Sequence, residues 1–239
     1  MISIIIPTLN EAKNLEALFK RISKLHLDNY EIIIADSNSK DNTISIAKYL
    51  ASKYRLPVKA IQTGNTDLAN AVIRVLPKAR GNIIAVIDAD LQHPPEIIPK
   101  MLKKLKKSDI VIASRFIRGA KVNFGLERVL VSKVYRFLAH FFVSRTKNIK
   151  DPGSGFFVFR KKILDDIALK PLGFKILLEI LAKANYKTVI EIPYRFGKRK
   201  KGKSKFNLRQ AALAFIHLLK LAKHSREHGR ILKFLAAGQ

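Results

Sequence analysis

Two carboxylates and one amide occupy alternate positions near residue 90. Asp88, Asp90 and Gln92 follow the apolar run IIAVI, and two prolines come soon after them. Where the backbone is extended, side chains at positions i, i+2 and i+4 lie on one face. Carboxylate and amide oxygens suit Mg²⁺ or Mn²⁺ and leave coordination positions for phosphate oxygens. The spacing predicts a site for a hard cation and a phosphorylated substrate, although Asp-x-Asp alone is equally typical of a surface turn.

Other common catalytic centres have less support in the sequence. The chain has no cysteine, which excludes thiolate metal sites and disulfides. It has no GxGxxG motif, the 6 histidines lack metal-ligand spacing, and no nucleophile motif surrounds Ser154. The acidic segment is therefore the strongest candidate for chemistry.

Cationic side chains that could bind an anion are concentrated in the second part of the chain. The formal net charge is +28, and 33 of the 46 Lys and Arg but only 8 of the 18 Asp and Glu follow residue 100. This asymmetry favours a polyanionic partner, such as nucleic acid, a phosphorylated substrate or anionic lipid headgroups. The candidate anion ligands are Arg115, Arg128, Arg199, Lys203 and Lys205, the last three in the basic loop KRKKGKSK.

Apolar runs at 2–8, 31–35, 59–63, 83–88 and 109–116 predict strands, and helical spacing near 42–53, 67–79 and 95–106 predicts helices between them. This alternation indicates an α/β fold with a mostly parallel sheet flanked by helices. In such sheets ligands bind beyond the carboxyl ends of the strands. We therefore expect Pro7–Glu11, Asp36–Asp41, Asp88–Gln92 and Ser114–Arg115 along one rim, where Asp36 would bind a nucleoside or cap the next helix.

The chain resembles a known family through motifs that recur in order. They are IIIPTLNE, DADLQHPPE, SRFIRGAKV, DPGSGFFVFRK, GFKILLEI and RFGKRKKGKSK. These motifs are similar to those of the inverting family 2 glycosyltransferases of GT-A fold, within the group that contains dolichyl-phosphate mannose synthase and other polyprenyl-phosphate glycosyltransferases. The resemblance covers roughly residues 2–206 and implies a single Rossmann-like GT-A domain.

The resemblance also implies roles for individual residues. Those matching the nucleotide-sugar contacts are Pro7, Leu9, Glu11, Asp36, Asp88, Ala89, Asp90, Arg199 and Lys205. Arg115, Arg128 and Ser132 match the site of the acceptor phosphate. Asp88, Asp90 and Gln92 match the metal site, which is expected to hold Mg²⁺ or Mn²⁺. The residues expected to matter most for catalysis are Asp90, Arg115 and Arg199.

The activity that the resemblance implies is transfer of mannose from GDP-mannose to dolichyl or polyprenyl phosphate, with inversion. The chain departs from the family at Leu9, where an aromatic is widespread, at Ser37–Ser39, where acids are usual, and at Lys203, where glutamate is usual. These positions surround the nucleotide pocket, so a UDP-glucose or UDP-N-acetylglucosamine donor is the alternative.

A nucleic-acid-binding protein is the rival from another class, because the net charge permits it. The acidic rim would repel phosphate without a metal, and no nucleic-acid motif is present, so no nucleic-acid partner is expected. An inactive homologue is a further alternative, which the intact Asp88, Asp90 and Gln92 argue against.

The C-terminal part predicts contact with a membrane surface. We expect a catalytic domain over residues 1–206 and an amphipathic extension over residues 207–239. Helices predicted at 128–143 and 207–223 carry apolar stripes beside basic residues, as in segments that lie in anionic membrane interfaces, although core packing would explain part of each stripe. No signal peptide or apolar run of about 20 residues is present. The expected location is the cytoplasmic face of a membrane, peripheral or monotopic, and the apolar end ILKFLAAGQ is also compatible with the start of a membrane helix.

Overall fold

The computed structural model describes residues 1–122, 126–197 and 211–223, without the side chains of 126–128. The strands are β1 (Ile2–Thr8), β2 (Tyr30–Asp36), β3 (Val58–Gln62), β4 (Ile83–Val86), β5 (Ile110–Ser114), β6 (Lys121–Val122), β7 (Phe157–Arg160), β8 (Val189–Pro193) and β9 (Arg195–Phe196). The helices are α1 (Ala12–Ile22), α2 (Thr43–Lys53), α3 (Leu68–Val75), α4 (Ile98–Leu105), α5 (Leu126–Phe142) and α6 (Ile176–Lys183). A further helical segment, 211–223, is called the C-terminal helix below.

A seven-stranded sheet organises the described residues, with the strand order β3-β2-β1-β4-β7-β5-β8. Every pair of neighbours is parallel except those made by β7, which runs antiparallel to both β4 and β5. β6 and β9 form a separate two-stranded parallel ribbon. The prediction of a mostly parallel sheet is confirmed, and the reversed strand in its centre is an addition.

Helices cover both faces of the sheet, which explains why apolar residues on the central strands do not alternate with polar ones. In β1, Ile4 and Ile6 pack into the core that α1, α2 and α4 cover, whereas Ile5 packs into the opposite core under α3 and α6. A third apolar cluster joins α5, α6 and the C-terminal helix through Ala139, Leu178 and Leu218. The C-terminal helix is therefore packed against the α/β domain.

Several predicted boundaries differ from the observed ones by a few residues. The helix predicted over 67–79 is α3 followed by a 3₁₀ turn over Leu76–Lys78, since Pro77 cannot continue the α-helical hydrogen bonding. The strand predicted over 83–88 ends at Val86. The helix predicted over 207–223 is present from 211, and residues 207–210 lie outside the described part. Among the described residues, no helix combines the length and apolarity needed to cross a bilayer.

Candidate active site

The carboxyl ends of β1, β4 and β5 border one cavity of about 1040 Å³. The predicted site residues that line it are Pro7, Leu9, Glu11, Asp88, Ala89, Asp90, Gln92, Arg115 and Ser132. They come from four separate parts of the sequence. Three of these parts follow β1, β4 and β5 and meet because parallel strands end at the same edge, and the fourth, Ser132, lies on α5. The structure thus brings together most of the described residues that the sequence singled out, and their roles remain predictions.

The acidic segment forms a turn, so the extended backbone that would place residues 88, 90 and 92 on one face is not present. Residues 89–90 are in a turn and Leu91 has a left-handed φ of 65°. The backbone N–H of Gln92 donates to Asp90 Oδ1 at 3.0 Å, which closes the turn. Asp90 and Gln92 are buried, whereas the side chain of Asp88 is 40% exposed. The turn, which we call the carboxylate turn, brings the three polar side chains to the cavity by a tighter path than a strand would.

His93 supports the carboxylate turn from below. Its ring stacks on Phe156 and meets the edges of Tyr194 and Phe196 at centroid distances of 5.5 to 5.9 Å. Burial lowers the pKa of His93 to about 4, so the ring is neutral at physiological pH. Its Nδ1 lies 3.4 Å from Asp88 Oδ2, and this approach is not an ion pair because the ring carries no charge. His93 is therefore a packing element, as histidines without ligand spacing usually are.

The donor atoms of the carboxylate turn fit a divalent cation that keeps several ligands from outside the protein. Among the described residues, no three His, Asp or Glu side chains are grouped to hold a metal. Asp88 and Asp90 supply carboxylates, and Gln92 Nε2 donates to the Gly197 carbonyl at 3.2 Å, which leaves Oε1 as the amide acceptor. Mg²⁺ and Mn²⁺ accept such partial protein shells when phosphate oxygens complete them.

Arg115 is held in place by Asp151, a residue that sequence reasoning did not single out. The guanidinium donates to both carboxylate oxygens, from Nε at 2.8 Å and from Nη2 at 2.7 Å. The Arg115 backbone N–H donates to the same carboxylate at 2.9 Å. Burial opposes the charge of Arg115, but its hydrogen bonds to Asp151 outweigh burial and raise its pKa. Arg115 is therefore permanently charged. Asp151 fixes the orientation of its guanidinium group and balances its positive charge.

Asp36 is buried behind the rim and is not among the residues that line the cavity. Its carboxylate accepts hydrogen bonds from Thr8 Oγ1 at 2.8 Å and from the backbone N–H and Oγ of Ser39 at 2.8 and 2.5 Å. It does not cap the next helix, since Asn42 is the N-cap of α2. Asp36 therefore fixes the loop after β2 to the end of β1, and its nucleoside role stays a prediction.

The structure describes only some of the remaining predicted site residues. Ser132 is half-buried on α5 and lines the cavity. Arg128 belongs to α5, but its side chain is outside the described atoms. Arg199, Lys203 and Lys205 lie outside the described residues.

The basic loop also spells G-x-x-x-x-G-K-S over residues 197–204, the letters of a Walker phosphate loop. A Walker loop follows a strand and opens a helix, with its strand in the main sheet. Here the segment follows the two-residue strand β9, which belongs to the small ribbon. The letters alone therefore do not assign a Walker site.

Lys175 and Tyr135 also line the cavity, and sequence reasoning missed both. Lys175 Nζ donates to the Gly153 carbonyl at 2.9 Å and lies over the rings of Phe174 and Tyr135, at 4.9 and 5.1 Å from their centroids. Burial lowers the pKa of Lys175 to about 8. The only feature of the sequence that pointed to Lys175 was its place in the GFKILLEI motif. That feature does not distinguish it from the many other lysines of the chain.

Most of the lining that α5 and the C-terminal helix supply is apolar, although α5 also contributes Ser132, Tyr135 and Arg136. The apolar wall consists of Leu130, Val134 and Leu138 from α5 with Ala211, Ala214, Phe215 and Leu218 from the C-terminal helix. Phe137 and Phe141 of α5 lie nearby in sequence and are 68% and 72% exposed. One cavity therefore joins a polar end, built on strand ends, to an apolar wall between two helices. This arrangement fits an amphiphilic substrate.

Comparison with known proteins identifies relatives of the whole domain. A dolichol-phosphate mannosyltransferase of Pyrococcus furiosus is 45% identical over 241 residues, which cover 99% of this chain and 68% of that protein. A dolichol-phosphate mannosyltransferase of Saccharomyces cerevisiae is 31% identical, over 86% of this chain and 80% of that protein.

Solved structures with lower identity share the fold. Glucosyl-3-phosphoglycerate synthase from Mycobacterium tuberculosis, in complex with Mn²⁺, UDP-glucose and phosphoglyceric acid, superposes with a TM-score of 0.70 at 20% identity, covering 93% of this chain and 80% of that one. Mannosyl-3-phosphoglycerate synthase from Rubrobacter xylanophilus gives 0.69 at 18% identity, covering 96% and 75%. These similarities confirm the expected GT-A fold. The family model described as glycosyl transferase family 2 matches residues 3–168, and the chain therefore belongs to this family.

Proposed function

We propose that this glycosyltransferase transfers mannose from GDP-mannose to dolichyl phosphate or another polyprenyl phosphate. The observation that carries the proposal is the single cavity that joins the carboxylate turn and Arg115 to the apolar wall of α5 and the C-terminal helix. A sugar nucleotide needs the polar end, and a lipid phosphate needs both ends. The relatives named dolichol-phosphate mannosyltransferase support this combination of donor and acceptor.

The proposed transfer reaction does not require a strong general base. A phosphate monoester is already an anionic nucleophile, so the enzyme must mainly bring two anions together and stabilise the leaving nucleoside diphosphate. Arg115 is oriented for this task by Asp151 and stays charged throughout. In-line attack at the anomeric carbon, from the side opposite the diphosphate, inverts the configuration. An α-linked mannose on GDP would become β-linked to the lipid phosphate.

Asp88, Asp90 and the amide oxygen of Gln92 are the residues that would hold Mg²⁺ or Mn²⁺. A divalent cation bound there supplies positive charge to the diphosphate as it leaves. The Mn²⁺ in the similar M. tuberculosis synthase complex supports a divalent ion on this fold. Asp90 is buried and fixed by the Gln92 N–H, so it would hold its position whether or not substrate is bound.

We propose a peripheral or monotopic position on the cytoplasmic face of a membrane. A lipid acceptor requires contact with a membrane, and exposed apolar residues on the described surface support such contact. The exposed apolar residues Leu130, Val131, Val134, Phe137 and Phe141 lie on α5, and Phe215, Ile216 and Leu219 lie on the C-terminal helix. Residues 193–226 carry 11 Lys or Arg and no Asp or Glu, which suits an anionic surface. We propose that residues 1–206 hold the catalytic site and that residues 207–239 contribute to this contact.

A transfer assay tests the function. The protein is incubated with Mg²⁺ or Mn²⁺, dolichyl phosphate and a panel of radiolabelled GDP- and UDP-sugars, and the lipid is then extracted. We expect label from GDP-mannose in the organic phase, whereas label only from a UDP-sugar would replace the proposed donor.

Variants test the assigned residues in the same assay. Asp90→Asn should lower transfer by about a hundredfold or more, as expected when an electrostatic stabiliser is removed. Asp28→Asn, at an exposed position in the loop between α1 and β2, is the matched control. Equal transfer by Asp90→Asn and the wild type would contradict the metal–diphosphate role of the carboxylate turn.

A further inference from the structure

We propose that Lys175 and the Tyr135 hydroxyl bind the phosphate of the lipid acceptor. With Gly153 they form a cluster in the cavity lining, called the neck below, in which Tyr135 of α5 lies beside Lys175 at the start of α6. This inference rests on the proposed function, because it assigns the acceptor's phosphate to one part of the same cavity. It adds two residues from α5 and the start of α6 to a site expected to depend on arginines.

The charge of Lys175 is poorly compensated within the described part of the protein. No Asp or Glu there forms an ion pair with it, and its ammonium contacts only a carbonyl oxygen and two ring faces among the interactions resolved. Lys175 is also the N-cap residue of α6, where the positive end of the helix disfavours a cation. Lys183 at the other end of α6 shows the contrast, because it pairs with Glu179 at 2.6 Å. A half-buried ammonium group without a carboxylate paired to it is typical of a site that receives an anion.

The hydroxyl of Tyr135 is a second polar group without an internal partner. It is buried, and no described residue accepts or donates a hydrogen bond to it. Buried hydroxyls nearly always find a partner. Because Tyr135 is one of the residues that line the cavity, we take its unsatisfied hydroxyl as a position for a ligand oxygen. A phosphate monoester offers several acceptor oxygens, enough for both the Tyr135 hydroxyl and the Lys175 ammonium.

Glycine at position 153 makes the neck possible. A Cβ there would lie 2.9 Å from Tyr135 Cε1 and 3.1 Å from Lys175 Nζ. A side chain at this position would therefore push both groups away from their present places. The close approach keeps the ammonium and the phenol ring on the same side of the cavity.

The position of the neck favours the acceptor phosphate over the donor diphosphate. Tyr135 belongs to α5, which also supplies Leu130, Val134 and Leu138 to the apolar wall, so a phosphate at the neck leaves its lipid chain beside that wall. The carboxylate turn at the end of β4 is the part suited to a metal-bound diphosphate. The charge of Arg115 is balanced by Asp151, so Lys175 supplies positive charge that an approaching dianion would otherwise lack.

Direct binding measurements test the proposal without relying on turnover. Calorimetry with citronellyl phosphate, a short isoprenyl phosphate, measures the acceptor arm, and GDP-mannose with Mn²⁺ measures the donor arm. Lys175→Met should weaken binding of the isoprenyl phosphate roughly tenfold to hundredfold, as loss of a hydrogen bond to a charged group does. Tyr135→Phe should weaken it by a smaller factor, about fivefold. Donor affinity should stay within about twofold in both.

Matched variants separate this effect from damage to the fold. Lys161→Met removes another half-buried lysine that donates to a backbone carbonyl, Ala79 O at 2.7 Å, and it does not line the cavity. It should leave acceptor affinity unchanged. Lys175→Arg keeps the charge and should keep part of the affinity. Unchanged acceptor affinity in Lys175→Met, or a loss confined to GDP-mannose, would overturn the assignment.

Steady-state kinetics then distinguish this inference from the proposed function. If the wild type binds citronellyl phosphate through Lys175 but transfers no mannose to polyprenyl phosphate, the phosphate site stands and the proposed function fails. If mannose is transferred and Lys175→Met leaves the acceptor KM unchanged, the proposed function stands and the phosphate site fails. We expect a higher acceptor KM with an unchanged KM for GDP-mannose.

Discussion

At the scale of single residues, Arg115 and Lys175 are cations in one cavity that differ in how their charge is held. Hydrogen bonds to Asp151 raise the pKa of Arg115 against the effect of burial, so its charge is insensitive to pH. Burial and the charge of Arg115 lower the pKa of Lys175 to about 8, while Asp151 and Asp88 act in the opposite direction. The enzyme therefore combines a fixed cation with one that can lose its proton under mildly alkaline conditions.

The acceptor kcat/KM should fall as the pH rises through about 8. Lys175 is charged below its pKa of about 8 and neutral above it, so the free enzyme loses attraction for the acceptor on the alkaline side. The measurement is acceptor kcat/KM from pH 6 to 10. In Lys175→Arg the alkaline decline should move to higher pH. The same decline in Lys175→Met would assign it to another group.

At the scale of elements, the carboxylate turn shows what spacing in a sequence can and cannot predict. An apolar run followed by Asp88, Asp90 and Gln92 was enough to place three polar side chains at a strand end. It was not enough to predict the left-handed Leu91, because turn geometry depends on the packing of His93 beneath it. Lys175 and Tyr135 could not be singled out either, since their partners come from distant parts of the chain.

Gly155 should control the position of Asp88. A Cβ at residue 155 would lie 2.8 Å from Asp88 Oδ2 and 3.1 Å from His93 Cε1. Because the Asp88 side chain is partly exposed and can rotate, Gly155→Ala should displace it and weaken Mn²⁺-dependent GDP-mannose binding roughly tenfold, with a small change in Tm. Titration calorimetry and thermal melts measure the two effects.

A double-mutant cycle gives the control for Gly155→Ala. If the substitution acts through Asp88, adding it to Asp88→Asn should cause little further loss of donor affinity. Fully additive losses would show that Gly155 acts by another route.

The junction of α6 and the C-terminal helix should be a centre of stability. His217 Nε2 lies 2.5 Å from Glu179 Oε2, and Lys183 Nζ lies 2.6 Å from Glu179 Oε1, with Glu179 and His217 fully buried. Glu179→Gln removes the carboxylate charge that Lys183 and His217 contact and should lower the free energy of unfolding by about 3 kcal/mol. Urea denaturation at pH 7 measures the loss. Glu16→Gln breaks the exposed pair with Lys53 and should lower the free energy of unfolding much less, because solvent screens this pair.

The same junction predicts sensitivity to acid. Burial acts to raise the pKa of Glu179, but hydrogen bonds from His217, Lys170 and Lys183 outweigh it and lower the pKa to about 2. A depressed carboxyl pKa contributes stability above its unfolded value, and this contribution is lost as the pH falls from about 4.5 towards 2. Urea midpoints should therefore fall less steeply with acid in Glu179→Gln than in the wild type. Parallel curves would contradict the assignment.

At the scale of the whole molecule, the charge and the exposed apolar side chains lie in the same part of the sequence. The sequence predicted the α/β class, the rim and the basic C-terminal half, because these depend on local apolar runs and on composition. It did not predict the reversed direction of β7, since a strand buried on both faces has the same apolar pattern in either direction. Because β7 runs antiparallel to β4 and β5, its first residue lies at the rim. Residues 151–155, which come just before β7, therefore lie near Arg115 and Lys175.

Binding to anionic vesicles should depend on both the charge and the exposed aromatic residues. The protein should sediment with phosphatidylserine-containing liposomes at low salt and less at high salt. Phe137→Ser combined with Phe141→Ser should reduce sedimentation and leave donor affinity unchanged, since both side chains are exposed on α5. Tyr49→Ser, at an exposed site on α2, is the control. No association at either salt concentration would refute the membrane contact.

The reversed strand β7 also governs when the site can exist during folding. β7 lies between β4 and β5. It therefore joins the four strands β3-β2-β1-β4 on one side of the sheet to the two strands β5-β8 on the other. Until Phe157–Arg160 pairs on both sides, each unit has an open edge, and Asp151, Gly153 and Gly155 cannot be held at the rim. These pairings join residues far apart in sequence and carry a large loop-closure entropy. The protein should therefore bind its substrates only after β7 has paired with β4 and β5. A nascent chain that ends before residue 157 should bind neither the donor nor the acceptor.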